Sequence, residues 1–266
     1  MNSLSLPKPN GMLLIISPAK TLDFETPLAQ LPHSQPEFVS ESEKLITKLR
    51  TLSRKKIGEL MSISPALASL NHQRYQQWHN TFEAGEARQA LLAFKGEVYR
   101  GLAADTFSEE DLNYAQNHLR ILSGLHGVLR PLDLIHPYRL EMGTRLPVRR
   151  RKNLYHFWDD TLTKFINRDL ETQTEAVLVN LASQEYFKAV HPHKVKGRIL
   201  NIHFKEWKNG ELKVIMTFAK HARGLMAAYL LRNRIETAEE IKGFDVDGYG
   251  YNDRFSTEND WVFTRE

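Results

Sequence analysis

The sequence predicts a mixed α/β fold: a single globular unit with a mixed central sheet, a hairpin in the middle of the chain and helices around the sheet. Three observations carry this. Short apolar runs at residues 12–16 and 176–181 read as strands buried on both faces. Segments with helical apolar spacing interleave with them, the signature of helices packed on a sheet. Asn209-Gly210 separates two strand-like stretches and is the strongest short-range hairpin signal in the chain.

Each element follows in order. Residues 12–16 (Met-Leu-Leu-Ile-Ile) form the first strand, and Ser17-Pro18-Ala19-Lys20-Thr21 a loop, because proline disfavours a strand interior. Residues 22–37 carry Pro27, Pro32 and Pro36 and read as an extended surface segment. Over 38–52, Val39, Leu45, Ile46, Leu49 and Leu52 approximate one helical face. Ser53 caps a second helix through Met61, and Pro65 suits the first turn of a third, running through Leu67, Leu70, Tyr75 and Trp78. Residues 91–94 predict a second strand, broken by Lys95-Gly96, and 98–102 a helical turn.

Ser108 with Asp111 resembles a capping box, opening a helix to about Leu119. Ile121-Leu122 and 138–142 predict two further strands, with a glycine-punctuated loop after the first. Residues 154–170 read as one amphipathic helix with Phe157, Leu162, Phe165 and Ile166 inward. Strands over 198–207 and 212–218 flank Asn209-Gly210, a helix spans 220–234, and 249–252 with 261–264 make a terminal hairpin. Residues 1–11, with two prolines and no apolar run, are expected to be a flexible extension outside the fold; 12–266 are expected to be one domain.

Composition narrows the function classes. The 266 residues are 41% hydrophobic and 26% charged, which is ordinary globular composition. With no cysteine, a disulfide scaffold, a thiolate metal site, an Fe–S cluster and a cysteine nucleophile are excluded; a reducing cytoplasm fits. No stretch approaches the roughly 18 apolar residues of a membrane span, and a basic n-region with an h-region is missing from the N-terminus. The formal charge is +4, unevenly spread. Residues 1–144 are neutral, 145–234 carry 18 basic against 8 acidic residues, and 235–266 carry 3 against 9. Such a basic segment suggests a surface facing a polyanion, with solvated helix faces as the plain alternative.

Particular residues could carry chemistry. Lys20 lies just past a buried strand, where α/β sheets place ligand crevices, and could bind phosphate or serve as an amine nucleophile. Two short helices meet at Ser62-Ile63-Ser64-Pro65, with Arg54, Lys55 and Lys56 nearby; a turn of this kind can offer backbone N–H groups to a DNA phosphate, or be a plain helical hairpin. Residues 123–142 spend Arg130, Asp133, Arg139 and Glu141 in one irregular stretch, for binding or for internal pairing of Arg130 with Asp133 and Arg139 with Glu141. Arg145, Arg149, Arg150, Arg151 and Lys152 form the densest basic run. Lys220 and Arg223 share a helix face near the expected N-terminus, where the dipole opposes cations, so an anion should compensate them. His191-Pro192-His193 lacks a third ligand at suitable spacing, so no metal site is expected. P-loop, dinucleotide and nucleophile-elbow motifs are absent.

Residues 12–23 (Met-Leu-Leu-Ile-Ile-Ser-Pro-Ala-Lys-Thr-Leu-Asp) resemble the N-terminal motif of the YaaA family of bacterial peroxide-stress proteins. So do Phe94-Lys95-Gly96-Glu97-Val98-Tyr99, residues 122–142, Asn180-Leu181-Ala182-Ser183-Gln184-Glu185-Tyr186-Phe187 and Lys220-His221-Ala222-Arg223-Gly224-Leu225-Met226. The resemblance runs from about Met12 to the C-terminus. It implies a cytoplasmic protein of the peroxide response, with a positively charged cleft, a helix-hairpin-helix element over about residues 53–70, and affinity for double-stranded or branched DNA. The hydrophobic-Gly-hydrophobic-Gly hairpin usual for that element is missing here; Ser64-Pro65 stands in its place.

The DNA-contact candidates are therefore Lys20, Arg54, Lys55, Lys56, Ser62, Ser64, Lys95, Arg130, Arg139, Lys220 and Arg223. Binding without catalysis, cofactor, membrane or obligate protein partner is the first reading. The alternative is a lysine-dependent enzyme acting on damaged bases or nucleotides, with Lys20 or Lys95 as nucleophile and Asp133, Glu141 or Glu185 as its acid–base partner. Direct iron sequestration is a third and weaker idea, for which the sequence offers no evident ligand cluster.

Overall fold

Twelve strands and ten α-helices are distributed along the described residues of the computed structural model, 11–27, 31–83 and 85–266. In chain order they begin with β1 (Leu13–Ile16), β2 (Thr21–Leu22), α1 (Val39–Arg50), α2 (Arg54–Met61), α3 (Pro65–Gln77), β3 (Arg88–Gln89), α4 (Ala90–Ala93), β4 (Phe94–Lys95) and α5 (Glu97–Leu102). Then come α6 (Glu109–His118), β5 (Leu119–Ser123), β6 (Gly127–Leu129), β7 (Leu134–Ile135), α7 (Leu154–Trp158), α8 (Thr161–Leu170) and β8 (Val177–Asn180). The chain closes with α9 (Gln184–Phe187), β9 (Arg198–Lys208), β10 (Glu211–Lys213), α10 (Met216–Arg232), β11 (Gly250–Tyr251) and β12 (Asp260–Arg265).

The central sheet runs β11-β12-β9-β8-β1-β5-β6, with β10 paired to β9. The β12-β9, β9-β8, β8-β1 and β1-β5 pairs are parallel. The flanking β11-β12, β5-β6 and β9-β10 pairs are antiparallel. Every residue of β1 and β8 is buried, which is why both read as unbroken apolar runs rather than alternating ones. The mixed sheet and the single α/β architecture are as the sequence predicts.

Topology fixes where a ligand could sit. From β1 the chain winds to β5 on one side; later it returns to β8 on the other side of β1 and winds away through β9 to β12. Connections therefore leave the β1/β8 pair in opposite directions. The crevice beyond the carboxyl ends of such a pair is where open α/β sheets bind ligands.

Local signals place most helices correctly. Ser53 Oγ accepts the Lys56 N–H and caps α2, Ser64 Oγ accepts the Leu67 N–H and caps α3, and Ser108 with Asp111 forms a reciprocal capping box on α6. At the hairpin, Asn209 (φ 54°) and Gly210 (φ 77°) both take positive φ, as a two-residue turn matched to strand twist requires.

Several elements differ from expectation. The strand expected over 91–94 is present only at Phe94, the first residue of β4: α4 makes one helical turn over 90–93, since a short buried apolar run does not distinguish the two. Residues 138–142 form no strand; this irregular segment packs its backbone on Gly124, where a Cβ would lie 2.2 Å from the Leu140 oxygen. The helix expected over 154–170 breaks at Asp159, which takes φ 46°. The second hairpin strand is three residues long, and Val214, Met216 and Phe218, half-exposed, belong to the approach and first turn of α10. Of the expected N-terminal extension, residues 1–10 lie outside the described residues. Gly11 is buried, its N–H donating to Thr174 Oγ1 at 2.9 Å.

Candidate functional site

A cavity of about 540 Å³ opens at the carboxyl ends of β1 and β8. One wall is the loop after β1, from Ser17 to Thr21; the opposite wall is the segment from Leu181 to Tyr186 after β8. The two are tied at their base, where the Ser183 N–H donates to Ser17 Oγ at 2.9 Å and the serine hydroxyls lie 3.2 Å apart. Tyr99, Tyr138 and Tyr186 line the interior. Tyr99 donates to the Ser17 carbonyl at 3.2 Å, and the Tyr138 hydroxyl pairs with Ser123 Oγ at 2.6 Å. Burial raises the pKa of all three phenols, so they stay neutral.

Five cations from four remote stretches of chain converge here: Lys20, Lys95, Arg139, Lys220 and Arg223. Two local devices bring them together. β2 pairs with β4 in a register that sets Thr21 opposite Lys95, which brings the Lys20 loop and the Lys95 turn to the same cavity. On the other side, α5 and α10 cross almost backbone to backbone. A Cβ on Gly101 would lie 2.1 Å from the His221 oxygen, and one on Gly224 only 1.9 Å from the Val98 oxygen. No side chain fits at either glycine, and this close crossing carries Lys220 and Arg223 to the cavity rim.

Carboxylates compensate these cations incompletely. Glu141 Oε1 is shared by Lys20 Nζ at 2.7 Å and Arg139 Nη2 at 3.4 Å. Asp23 is shared by Lys95 at 3.5 Å and Arg88 at 3.6 Å. Hydrogen bonds from Thr26 and Glu25, with Arg88 beside it, hold the Asp23 carboxyl well below the usual carboxylate range. Lys220 and Arg223 have no hydrogen-bond or carboxylate partner among the described residues, and Arg139 Nε is buried without one. Burial alone lowers the Arg223 pKa, with no partner raising it again. Glu97 is engaged by Arg100 at 2.8 Å, and Glu185 accepts the Gly143 N–H at 2.8 Å.

Other expected site residues lie elsewhere. Asp133 does not line the cavity: its carboxylate accepts the Ser34 hydroxyl at 2.6 Å and the Arg130 N–H at 2.8 Å, and burial pushes its pKa up to about 6. Arg130 does not line it either; its guanidinium lies 3.6 Å from Glu37 and 5.2 Å from the Phe165 ring centroid. The pairing expected between Arg130 and Asp133 runs through the backbone N–H, whereas Arg139 with Glu141 is a side-chain pair.

Arg54, Lys55, Lys56, Ser62 and Ser64 sit on the helical hairpin of α2 and α3, outside the cavity lining. Ser62 closes α2 in the left-handed conformation, and Ile63 donates to the Gly58 carbonyl at 3.1 Å. This hairpin still touches the site at one point, because the Tyr75 phenol on α3 donates to the Arg139 carbonyl.

The helix dipole does not oppose Lys220 and Arg223 as expected. Helix α10 starts at Met216, so Lys220 lies beyond the first turn, where the dipole effect has faded. What leaves these cations uncompensated is the lack of a carboxylate. Residues 145–152 form a surface turn in which Val148 and Arg151 exchange backbone hydrogen bonds and Arg151 pairs with Asp159 at 3.3 Å. None of the acidic residues of 235–266 lines the cavity. His191 approaches Asp160 at 3.0 Å rather than making a site with His193, and Asp159, Asp160 and His191 are the one potential ligand trio among the described residues. Lys194 Nζ already contacts Asp160 at 2.6 Å, so that trio holds its own cation.

The sequence model of one family, described as peroxide stress protein YaaA, matches residues 12–255. The chain belongs to this family. A UPF0246 protein of Aliivibrio fischeri (strain MJ11) is 51% identical over 255 residues, covering 96% of this chain and 98% of that protein. A UPF0246 protein of Acaryochloris marina (strain MBIC 11017) is 52% identical over 254 residues, covering 96% and 100%. Membership of the YaaA family gives the chain a role in oxidative stress. The motifs read as YaaA-like in the sequence supply nearly all of the cavity: the loop of Lys20, the turn of Lys95, the segment of Arg139, the loop of Glu185 and the helix of Arg223. What sequence reading missed is Gly101 and Gly224, whose signal was a glycine inside each of two helical segments. No helix among the described residues is long and apolar enough to cross a membrane.

Proposed function

We propose that this YaaA-family chain limits peroxide damage by binding double-stranded or branched DNA, its cation-lined cavity facing the strand and the α2–α3 hairpin resting on the backbone. The observation that carries this reading is the meeting of Lys20, Lys95, Arg139, Lys220 and Arg223 with too few carboxylates to neutralise them. Partly compensated cations on a concave surface attract phosphates and release counterions. Arg54, Lys55 and Lys56 extend the positive surface along α2, and the exposed N-terminus of α3 adds the positive end of its helix dipole beside Ser64. Branched DNA offers several backbones to one such surface, which supports a preference for it. Lys20 is salt-bridged to Glu141 and its side chain is 67% exposed, a setting that suits a binding cation better than a desolvated amine nucleophile. Binding is therefore preferred to the lysine-dependent enzyme.

The test is the salt dependence of affinity for duplex and four-way-junction DNA, by fluorescence anisotropy. Affinity should fall by about 0.9 log units per log unit of salt for each phosphate neutralised. Lys55→Ala with Lys56→Ala, and separately Lys220→Ala, should flatten that slope. An affinity indifferent to salt ends the reading.

A further inference from the structure

The cavity is too small for the ligand its charge attracts. A volume of about 540 Å³ is that of a small-molecule site. A duplex, whose major groove alone is about 12 Å wide, must stay outside it. Its lining is also divided by chemistry. Arg139, Lys220 and Arg223 supply positive charge, while Tyr99, Tyr138 and Tyr186 supply neutral aromatic surface. A ligand matching both parts is an anion joined to a flat, largely apolar body.

We propose that the cavity takes one nucleoside monophosphate unit, its phosphate on Arg223 and Arg139 and its base among the buried tyrosines. Arg223 has no partner within the described fold, and Arg139 keeps a buried Nε unpaired. A phosphate gives Arg223 the counter-charge it lacks and adds to the single Glu141 contact of the Arg139 guanidinium, because guanidinium forks match phosphate oxygens in pairs. The exposed amide of Gln184 lines the same space and offers one donor edge and one acceptor to a base. The inference rests on the proposed function only for the source of the nucleotide, which is either free or turned out of a DNA strand.

The rim bears on that source. Met216 lines the cavity yet is 57% exposed. Proteins that unstack DNA insert apolar side chains of this kind between base steps. Met216 is placed to fill the gap that an extruded nucleotide leaves.

The experiment uses the full chain and three probes: deoxyadenosine monophosphate, deoxyadenosine and inorganic phosphate. Calorimetry should show the monophosphate binding about tenfold or more tightly than either fragment, and Arg223→Gln should remove that advantage. A duplex carrying 2-aminopurine opposite a mismatch supplies the second arm. Its fluorescence should rise on binding, excess monophosphate should suppress the rise, and Met216→Ala should diminish the rise by a larger factor than it weakens monophosphate binding. Duplex bound with no fluorescence rise and no preference for the monophosphate overturns the inference and leaves DNA binding intact. Monophosphate bound while duplex is not overturns DNA binding and upholds the inference, with free nucleotide as the source. If neither binds, both fall.

Discussion

Around Phe165, the guanidiniums of Arg168, Arg130 and Arg120 lie 4.5, 5.2 and 5.9 Å from the ring centroid, and carboxylates reach all three. Arg120, itself buried, meets Asp169 at 2.6 Å and donates to the Gln116 and Leu119 carbonyls. Arg168 meets Glu37 at 2.7 Å, and Arg130 approaches the same carboxylate at 3.6 Å. Around the cavity at the carboxyl ends of β1 and β8, five cations meet, and Lys220 and Arg223 pair with no carboxylate among the described residues. One cluster is closed on itself; the other is left open. A charge held in a low-dielectric setting needs a counter-charge. Where the fold supplies it, the cluster is architecture. Where it does not, something outside the chain is the natural partner.

The largest expected effect breaks the closed cluster. Asp169→Ala strands the buried Arg120 guanidinium, whose pKa burial already lowers and Asp169 raises. Removing one partner of a buried pair costs about 3–5 kcal/mol. Urea unfolding should show that loss. A variant as stable as the parent would mean that Arg120 is satisfied by its carbonyls alone, and the contrast between the clusters would lose its energetic basis.

The same contrast explains what the sequence could and could not disclose. Strands β1 and β8, the caps at Ser53, Ser64 and Ser108, and the Asn209-Gly210 turn are local, and each is legible from a few residues. The break at Asp159 and the helical turn at α4 are not, because tertiary packing decides them. Among candidate site residues, Arg130 and Arg139 were indistinguishable: both are arginines of one irregular stretch, each with an acidic residue nearby. Their fates depend on Glu37 and Phe165 for one, and on the β1 loop for the other, contacts between residues far apart in the chain that no local pattern encodes. That Lys20, Lys95, Lys220 and Arg223 line one cavity was likewise hidden, since it depends on the β2-β4 register and on the Gly101/Gly224 crossing.

A second expectation concerns the edge of the closed cluster. Asp133 is buried beside Arg130, and its carboxyl, pushed up to about 6, titrates near 4 in an unfolded chain. Between these values the folded state binds more protons than the unfolded one, so stability falls as pH rises from about 4 to about 6 and levels off above. Asp133→Asn keeps the side-chain shape and removes the titration. Across that window the parent should lose up to about 3 kcal/mol relative to the variant, in denaturant melts at pH 4 and pH 7. Superimposable pH profiles would show that Ser34 and the Arg130 N–H keep this carboxylate charged at acid pH.

The smallest expected change is the most discriminating, because it has the opposite sign to ordinary core damage. Arg223→Gln removes a half-buried cation that no group in the described fold compensates. Deleting a paired charge destabilises; deleting an unpaired one relieves a desolvation cost. Thermal melting should therefore be unchanged, or raised by up to roughly 1 kcal/mol in equivalent stability, as happens where binding sites hold groups against the interest of the fold. Affinity for the phosphate-bearing ligand should fall in the same variant. A clear loss of stability on Arg223→Gln would mean that the fold itself depends on this guanidinium, and the open cluster would then be as structural as the one around Phe165.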